Sequence, residues 1–184
     1  MKDILDTSQP NLKLRFASEA DLGLIYEFIQ ALADFEELSH EVVTDLETLR
    51  RSLFGEDNVA EVLLAEFKGQ PAGFALFFPN FSTFLGKPGL YLEDLFVKPE
   101  FRGNGIGKEL LACLARTAVQ RGCGRFEWSV LNWNEPAIRF YRNLGAQAMD
   151  GWTGFRITGD SLLELAGRMP DKKNARDDPE YRRP

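Results

Sequence analysis

Histidine is almost missing from this chain: His40 is the only one in 184 residues. Its scarcity excludes most Ser-His-Asp and Cys-His machinery and any His-rich metal site, so no metal is expected. Cysteine is nearly as rare. Cys113 and Cys123 stand neither in Cys-x-x-Cys spacing nor beside a histidine, which suits neither zinc nor a redox pair, and they read as idle thiols. No apolar run approaches the roughly 20 residues of a membrane helix. Met1 to Asn11 lacks the basic-then-apolar order of a signal peptide, so the cytoplasm is the expected compartment, with no membrane partner. Positive charge is short too, with 22 Lys and Arg against 28 Asp and Glu and a formal net charge of −6. A nucleic-acid binder needs a basic face, so no nucleic acid is expected, and a cationic small molecule is the more natural partner.

What is present is enough chain for one soluble domain. Apolar residues make up 44% and charged residues 27% of the 184, sufficient for a core without disulfides or metal. That domain is expected over residues 1–167. Residues 168–184 mix charges with prolines and read as a solvated tail.

Leu12 to Phe16 alternates as a strand does, and Ser18-Glu19-Ala20-Asp21 offers a capping-box start to a helix that ends near the acidic stretch Ala33 to Glu37. Thr44-Asp45-Leu46-Glu47 repeats the device before a second helix reaching Gly55. Ala60–Phe67 and Ala72–Phe78 read as an antiparallel pair joined at Lys68-Gly69-Gln70-Pro71. Pro79 to Gly89 reads as a loop exposing Phe81 and Phe84. Leu90 to Val97 is a strand, apolar except for Glu93 and Asp94. Adjacent carboxylates inside a buried strand mark either a functional site or a β-bulge or strand end where both acids reach water, and a bulge does not preclude function. A long amphipathic helix from Ile106, a strand at Arg125–Leu131, a helix at Ala137–Asn143, a last strand at Trp152–Thr158 and a short helix at Ser161–Ala166 complete the pattern.

Between the carboxylate strand and the long helix lies Arg102-Gly103-Asn104-Gly105-Ile106-Gly107-Lys108. Its three glycines remove the Cβ atoms that would keep an anion from the backbone N–H groups at the positive end of the helix. A Walker loop fails, because Glu109 follows Gly107-Lys108 and Arg102 stands where the first glycine belongs. A dinucleotide fingerprint fails on glycine spacing and on the four residues that separate the loop from the strand.

The pattern that does match is Arg/Gln-x-x-Gly-x-Gly/Ala, and through it the chain resembles the GCN5-related N-acetyltransferase (GNAT) superfamily. Asn134-Glu135-Pro136-Ala137-Ile138-Arg139-Phe140-Tyr141 and Gly145-Ala146 strengthen the resemblance. Tyr91 to Val97, Trp133 to Pro136 and Phe35-Glu36 are similar to the diamine (spermidine/spermine) and thialysine acetyltransferase branch. Three departures stand out. Ser82 replaces an acid of the polyamine enzymes, the Phe84 loop is one residue longer, and the shortened segment after Gly145 leaves Asp150 an approximate match to an acidic substrate contact.

The resemblance implies an α/β (α+β) fold with a mixed, mostly antiparallel central sheet, flanked by helices and splayed at the cofactor strand. It implies acetyl-CoA as cofactor, held by Leu95, Phe96 and Val97, by Arg102, Gly103, Asn104, Gly105, Ile106, Gly107 and Lys108, and by Asn134, Glu135, Pro136 and Ala137. Glu93 is then placed to accept the amine's proton, directly or through water, and Tyr141 to protonate the departing thiolate. Phe35, Glu36, Phe84, Glu93 and Asp150 would bind the amine. The implied activity is direct acetyl transfer to a primary amine of a small cationic substrate, by a homodimer. A protein lysine or N-terminus as acceptor, and a non-catalytic acyl-CoA-binding module, remain the alternatives at this point.

Overall fold

The computed structural model describes residues 4, 5 and 7–168, so the expected tail lies outside the described residues apart from Arg168. Contacts divide the chain into two units, residues 1–132 and 133–184.

The first unit contains a six-stranded sheet in sequence order, built from β1 (Ile4–Leu5), β2 (Leu12–Phe16), β3 (Glu61–Phe67), β4 (Gln70–Ser82), β5 (Lys87–Val97) and β6 (Phe126–Trp128). Neighbours are antiparallel except β5 and β6, which are parallel, and that makes the sheet mixed as expected. Helices α1 (Leu22–Phe35), α2 (Leu46–Phe54) and α3 (Ile106–Gln120) flank it.

Local chemistry explains the boundaries. The Ser18 N–H and Oγ both lie 2.9 Å from Asp21 Oδ2, closing the expected capping box in a short 3₁₀ turn ahead of α1. The α2 cap falls one residue later than the sequence pattern indicates: Asp45, not Thr44, accepts the Thr48 N–H at 2.7 Å. Between β3 and β4, Lys68 and Gly69 both have positive φ (52° and 77°), the geometry of a two-residue turn that matches strand twist.

The expected loop from Pro79 to Gly89 is mostly strand. Pairing continues through Pro79↔Leu90, Asn80↔Gly89, Phe81↔Pro88 and Ser82↔Lys87, leaving only residues 83–86 as the turn. Proline and glycine here mark an extended hairpin whose tip Ser82 stabilises, its buried Oγ accepting the Leu85 N–H at 3.3 Å. Phe81 and Phe84 are exposed, as anticipated.

Directly paired residues share a sheet face, and the register therefore sorts the core. Leu64, Phe74 and Phe96 lie on one face with Ile25 and Phe28 of α1 and Leu53 of α2. Phe28 stacks on Phe74 with centroids 5.4 Å apart and meets Phe96 edge-on at 6.3 Å. Helix α3 packs on β3, β4 and β5 with Leu110, Leu111, Leu114 and Ala118 buried. At its end Arg121 pairs with Glu61 and covers the Phe77 ring, so Phe77 lies on the α3 face.

The second unit holds α4 (Glu135–Asn143) and α5 (Gly159–Ala166). Asn134 caps α4 by accepting the Ala137 N–H at 3.3 Å, and Pro136 sits in the first turn where its missing N–H costs nothing. Gly145, at φ 90°, stops the helix. Two strand expectations need correction. The strand anticipated at Arg125–Leu131 shrinks to β6, and Trp152–Thr158 forms no strand. No strand occurs among the described residues of this unit to pair with that segment, and its side chains, Trp152 and Phe155 among them, are exposed. Its β-type composition therefore has no ladder to join.

Candidate active site

The middle of β5 departs from regular pairing. Asp94 pairs with Leu76 and Leu92 with Phe77, so Glu93 is the extra residue of a β-bulge. The bulge shifts the alternation. Leu92 stays on the α3 face opposite Phe77, whereas Asp94 turns to the α1 face opposite Leu76. Without the extra residue, a carboxylate would point into the apolar layer under α3. Pairing with β6 also ends here, at Leu92↔Trp128. The sequence-based expectation of a splay at this strand thus has a visible cause, and Leu95, Phe96 and Val97 lie beyond the last β6 pair.

Two carboxylates act on a third at the bulge. Asp94 is half-buried, and its pKa is pushed up to about 7, first by burial and then by the negative charges of Glu93 and Glu36. Glu36, in the residue that ends α1, is raised by its own burial. Glu93 is exposed. The cluster contains two of the three acids anticipated from sequence, Glu36 and Glu93, and adds Asp94. The adjacent pair of carboxylates was the available signal for Asp94, but only the bulge reveals which of the two is drawn inward.

Asp94 gives a direct stability prediction. Its folded pKa lies above its unfolded one, so between about pH 4 and pH 7 the folded chain keeps a proton that the unfolded chain has lost. Stability from this group falls as pH rises through that window and stays low above it. Asp94→Asn is therefore expected to raise the melting temperature more near pH 8 than near pH 5. An equal shift at both pH values would contradict the assignment.

The loop that follows is tied internally. Residues Pro99–Phe101 form a 3₁₀ turn, and Asn104 Nδ2 donates to the Phe101 carbonyl at 3.0 Å and the Arg102 carbonyl at 3.3 Å. Arg102 Nε donates to the Val97 carbonyl at 3.0 Å, while its guanidinium lies 4.4 Å from the Phe35 ring centre and 5.8 Å from that of Phe96. The arginine therefore joins the loop to the Phe35-Glu36 end of α1. Gly103 and Gly105 adopt φ of 78° and 73°, a region closed to most side chains.

This loop fits a diphosphate. A Cβ at Gly103 would face open space, and Gly105, the α3 N-cap, offers no side chain to the first-turn N–H groups. Those donors have no partner within the helix and are available to an anion. Ile106 is buried and anchors the turn, while Lys108 is exposed.

Phe84 is not brought to the acids within its own unit. It is 93% exposed at the hairpin tip, and the six residue steps from Lys87 to Glu93 span roughly 20 Å of extended strand. In the second unit, Asn134, Ala137, Ile138 and Tyr141 fall at the spacing of one helix face, and all four are half-buried. The Tyr141 ring lies 5.4 Å from that of Phe140. Glu135 and Pro136 are exposed, as is Asp150 in the segment beyond α4.

A sheet bulged and splayed at β5, followed by a glycine-rich N-terminus on α3, defines an acyl-CoA-dependent N-acyltransferase architecture. Residues 25–146 match the Acetyltransferase (GNAT) family, and the chain belongs to that family. It is 40% identical over 167 residues to a thialysine N-epsilon-acetyltransferase of Mus musculus, covering 85% of this chain and 98% of that protein. It is 43% identical over 127 residues to an L-ornithine N5-acetyltransferase of Arabidopsis thaliana, covering 69% of this chain and 53% of that one. Among solved structures, an integron cassette protein from the mobile metagenome of V. cholerae superposes with a TM-score of 0.72 at 26% identity, over 86% of this chain and 99% of that one. The chain is an acetyltransferase, and enzymes of its family use acyl-CoA. No helix among the described residues is long and apolar enough to cross a membrane.

Proposed function

We propose that this enzyme transfers the acetyl group of acetyl-CoA to a primary amine of a small cationic acceptor, of the diamine or lysine and thialysine type. The observation that carries this reading is the cluster of Glu36, Glu93 and Asp94, three carboxylates converging on one strand bulge. Like charges held together cost energy unless a cation relieves them. An acceptor with a second positive charge meets that need, whereas an uncharged amine does not. The identity to a thialysine N-epsilon-acetyltransferase supports the same choice.

Acetyl-CoA supplies an activated thioester, and the chain's residues do the rest. The backbone of Gly103, Gly105 and Gly107, with Arg102, Asn104, Ile106 and Lys108 around it, binds the diphosphate. The segment Leu95 to Val97 lines the pantetheine arm and polarises the acetyl carbonyl through its N–H groups. Asn134, Glu135, Pro136 and Ala137 are further residues proposed to bind acetyl-CoA. Glu93 receives a proton from the acceptor's ammonium, directly or through water, which leaves the neutral amine to attack the thioester carbonyl, and Tyr141 donates a proton to the departing sulfur. Phe35, Glu36 and Asp150 bind the distal cation.

The reading includes a homodimer in the cytoplasm. Phe84 belongs to the acceptor site of a dimer in which hairpin tips meet, and the exposed Phe81, Phe84 and Leu85 support such a contact.

Thiol release from acetyl-CoA, measured against diamines, lysine, thialysine and short peptides, tests the proposal. Diamines or lysine-like amino acids are expected to be turned over far better than peptides. Release with peptides alone would move the acceptor to a protein.

A further inference from the structure

The turn at residues 7–11 contacts the glycine loop, and nothing in the sequence pattern announces it. Thr7 Oγ1 lies 2.9 Å from both the Gln9 and Leu12 carbonyl oxygens and accepts the Gln9 N–H at 3.3 Å. The Leu12 N–H donates to the Gln9 carbonyl at 3.2 Å, and the Lys68 N–H to the Asn11 carbonyl at 2.8 Å, so the turn is closed on itself and fastened to the sheet. From this platform two side chains reach α3. Ser8 Oγ donates to one oxygen of the Glu109 carboxylate, and the Ser8 N–H to the other at 3.3 Å. Gln9 Nε2 lies directly over Gly105, where any Cβ would collide with it. Gln9 is half-buried, and its carboxamide has no hydrogen-bond partner among the described residues. An amide held beside the N-cap of an anion-binding helix with no protein partner can donate to an anion bound there.

We infer that Gln9 is a cofactor-binding residue: its carboxamide N–H donates to the diphosphate of acyl-CoA at Gly105, while Ser8 holds the Glu109 carboxylate away from that anion. The inference rests on the acyl-CoA reading of the loop. Glu109 sits in the first turn of α3, where its charge would repel a phosphate bound to the helix N-terminus. Two hydrogen bonds from Ser8 fix it to the turn. Gln9 then adds an N–H donor to those of the backbone. The turn therefore serves the loop twice, by supplying a donor and by restraining a repulsive charge.

Calorimetric titration of the full-length protein with coenzyme A, without an amine, gives the test. Gln9→Met keeps the length of the side chain and removes the donor, and it is expected to weaken coenzyme A binding about tenfold, the ordinary worth of one hydrogen bond to a charged group. Gln9→Lys keeps a donor and is expected to bind at least as tightly as the parent protein. Ser8→Ala is expected to weaken binding several-fold, and adding Glu109→Gln to restore it. An unchanged affinity in Gln9→Met would overturn the inference, as would a tighter one, which would mean that the amide obstructs the loop. If the parent protein itself fails to bind coenzyme A, the acyl-CoA reading falls and the inference with it. Binding by the parent that is indifferent to Gln9 would sink the inference alone.

Discussion

Replacing Tyr141 with Phe is expected to lower kcat about 10²- to 10⁴-fold for every accepted amine, the range removed with a positioned general acid or base. The departing thiolate needs a proton, and the sequence excludes the usual source, since His40 is the only histidine and lies in the exposed turn after α1. The proposed donor is the Tyr141 phenol, on the half-buried face of α4, one turn beyond Ala137 and two beyond the Asn134 cap. Phenylalanine keeps the ring and the packing with Phe140, so the coenzyme A affinity is expected to stay within error. Steady-state kinetics with calorimetry separates these effects. A variant with unchanged kcat would remove Tyr141 from the chemistry, and one that loses coenzyme A binding would make it a positioning residue.

Glu93→Gln is expected to reduce kcat/KM for a dicationic acceptor by at least about 10²-fold. The bulge presents this residue outside the regular pairing of β4 and β5, so its amide counterpart fits without repacking. The substitution has a second signature. Glu93 is one of the charges that raise Asp94, so removing it moves the Asp94 pKa down from about 7, although burial, the first cause, remains. An ionised Asp94 favours a cationic acceptor, and kcat/KM in the parent enzyme is therefore expected to rise with pH through about 7. In Glu93→Gln that limb shifts to lower pH, and in Asp94→Asn it disappears. A pH profile identical in all three proteins would separate the carboxylate cluster from acceptor recognition.

Much of this was legible from residue types alone. Helical periodicity and capping residues located α1, α2 and α3, and the spacing of Gly103, Gly105 and Gly107 distinguished this loop from two other phosphate-binding loops. These signals are local, so the sequence carries them directly. What it obscured depends on pairing partners. Pro79 and Gly89 read as loop, yet both lie in a ladder, because Pro79 falls beyond the last β3 pair, where β4 has a free edge, and Gly89 makes room for the Asn80 side chain. Trp152–Thr158 has strand composition but no strand beside it in its unit among the described residues. The site divides in the same way. Glu93 stood out as a break in an apolar run, whereas the inward turn of Asp94 follows from a one-residue slip against Leu76 and Phe77. Gln9 gave no signal at all, since its role comes from a fold-back between residues far apart in the chain.

We propose that the carboxylate cluster selects an acceptor bearing a second positive charge. The most direct measurement compares kcat/KM for a diamine with that for a monoamine of equal length whose distal end is an uncharged methyl, near pH 8, with acetyl-CoA saturating. A preference for the diamine of about tenfold or more is expected, the worth of one charge-assisted contact, shrinking in Glu36→Gln and Asp94→Asn. Equal kcat/KM for the two amines in the parent enzyme would contradict it.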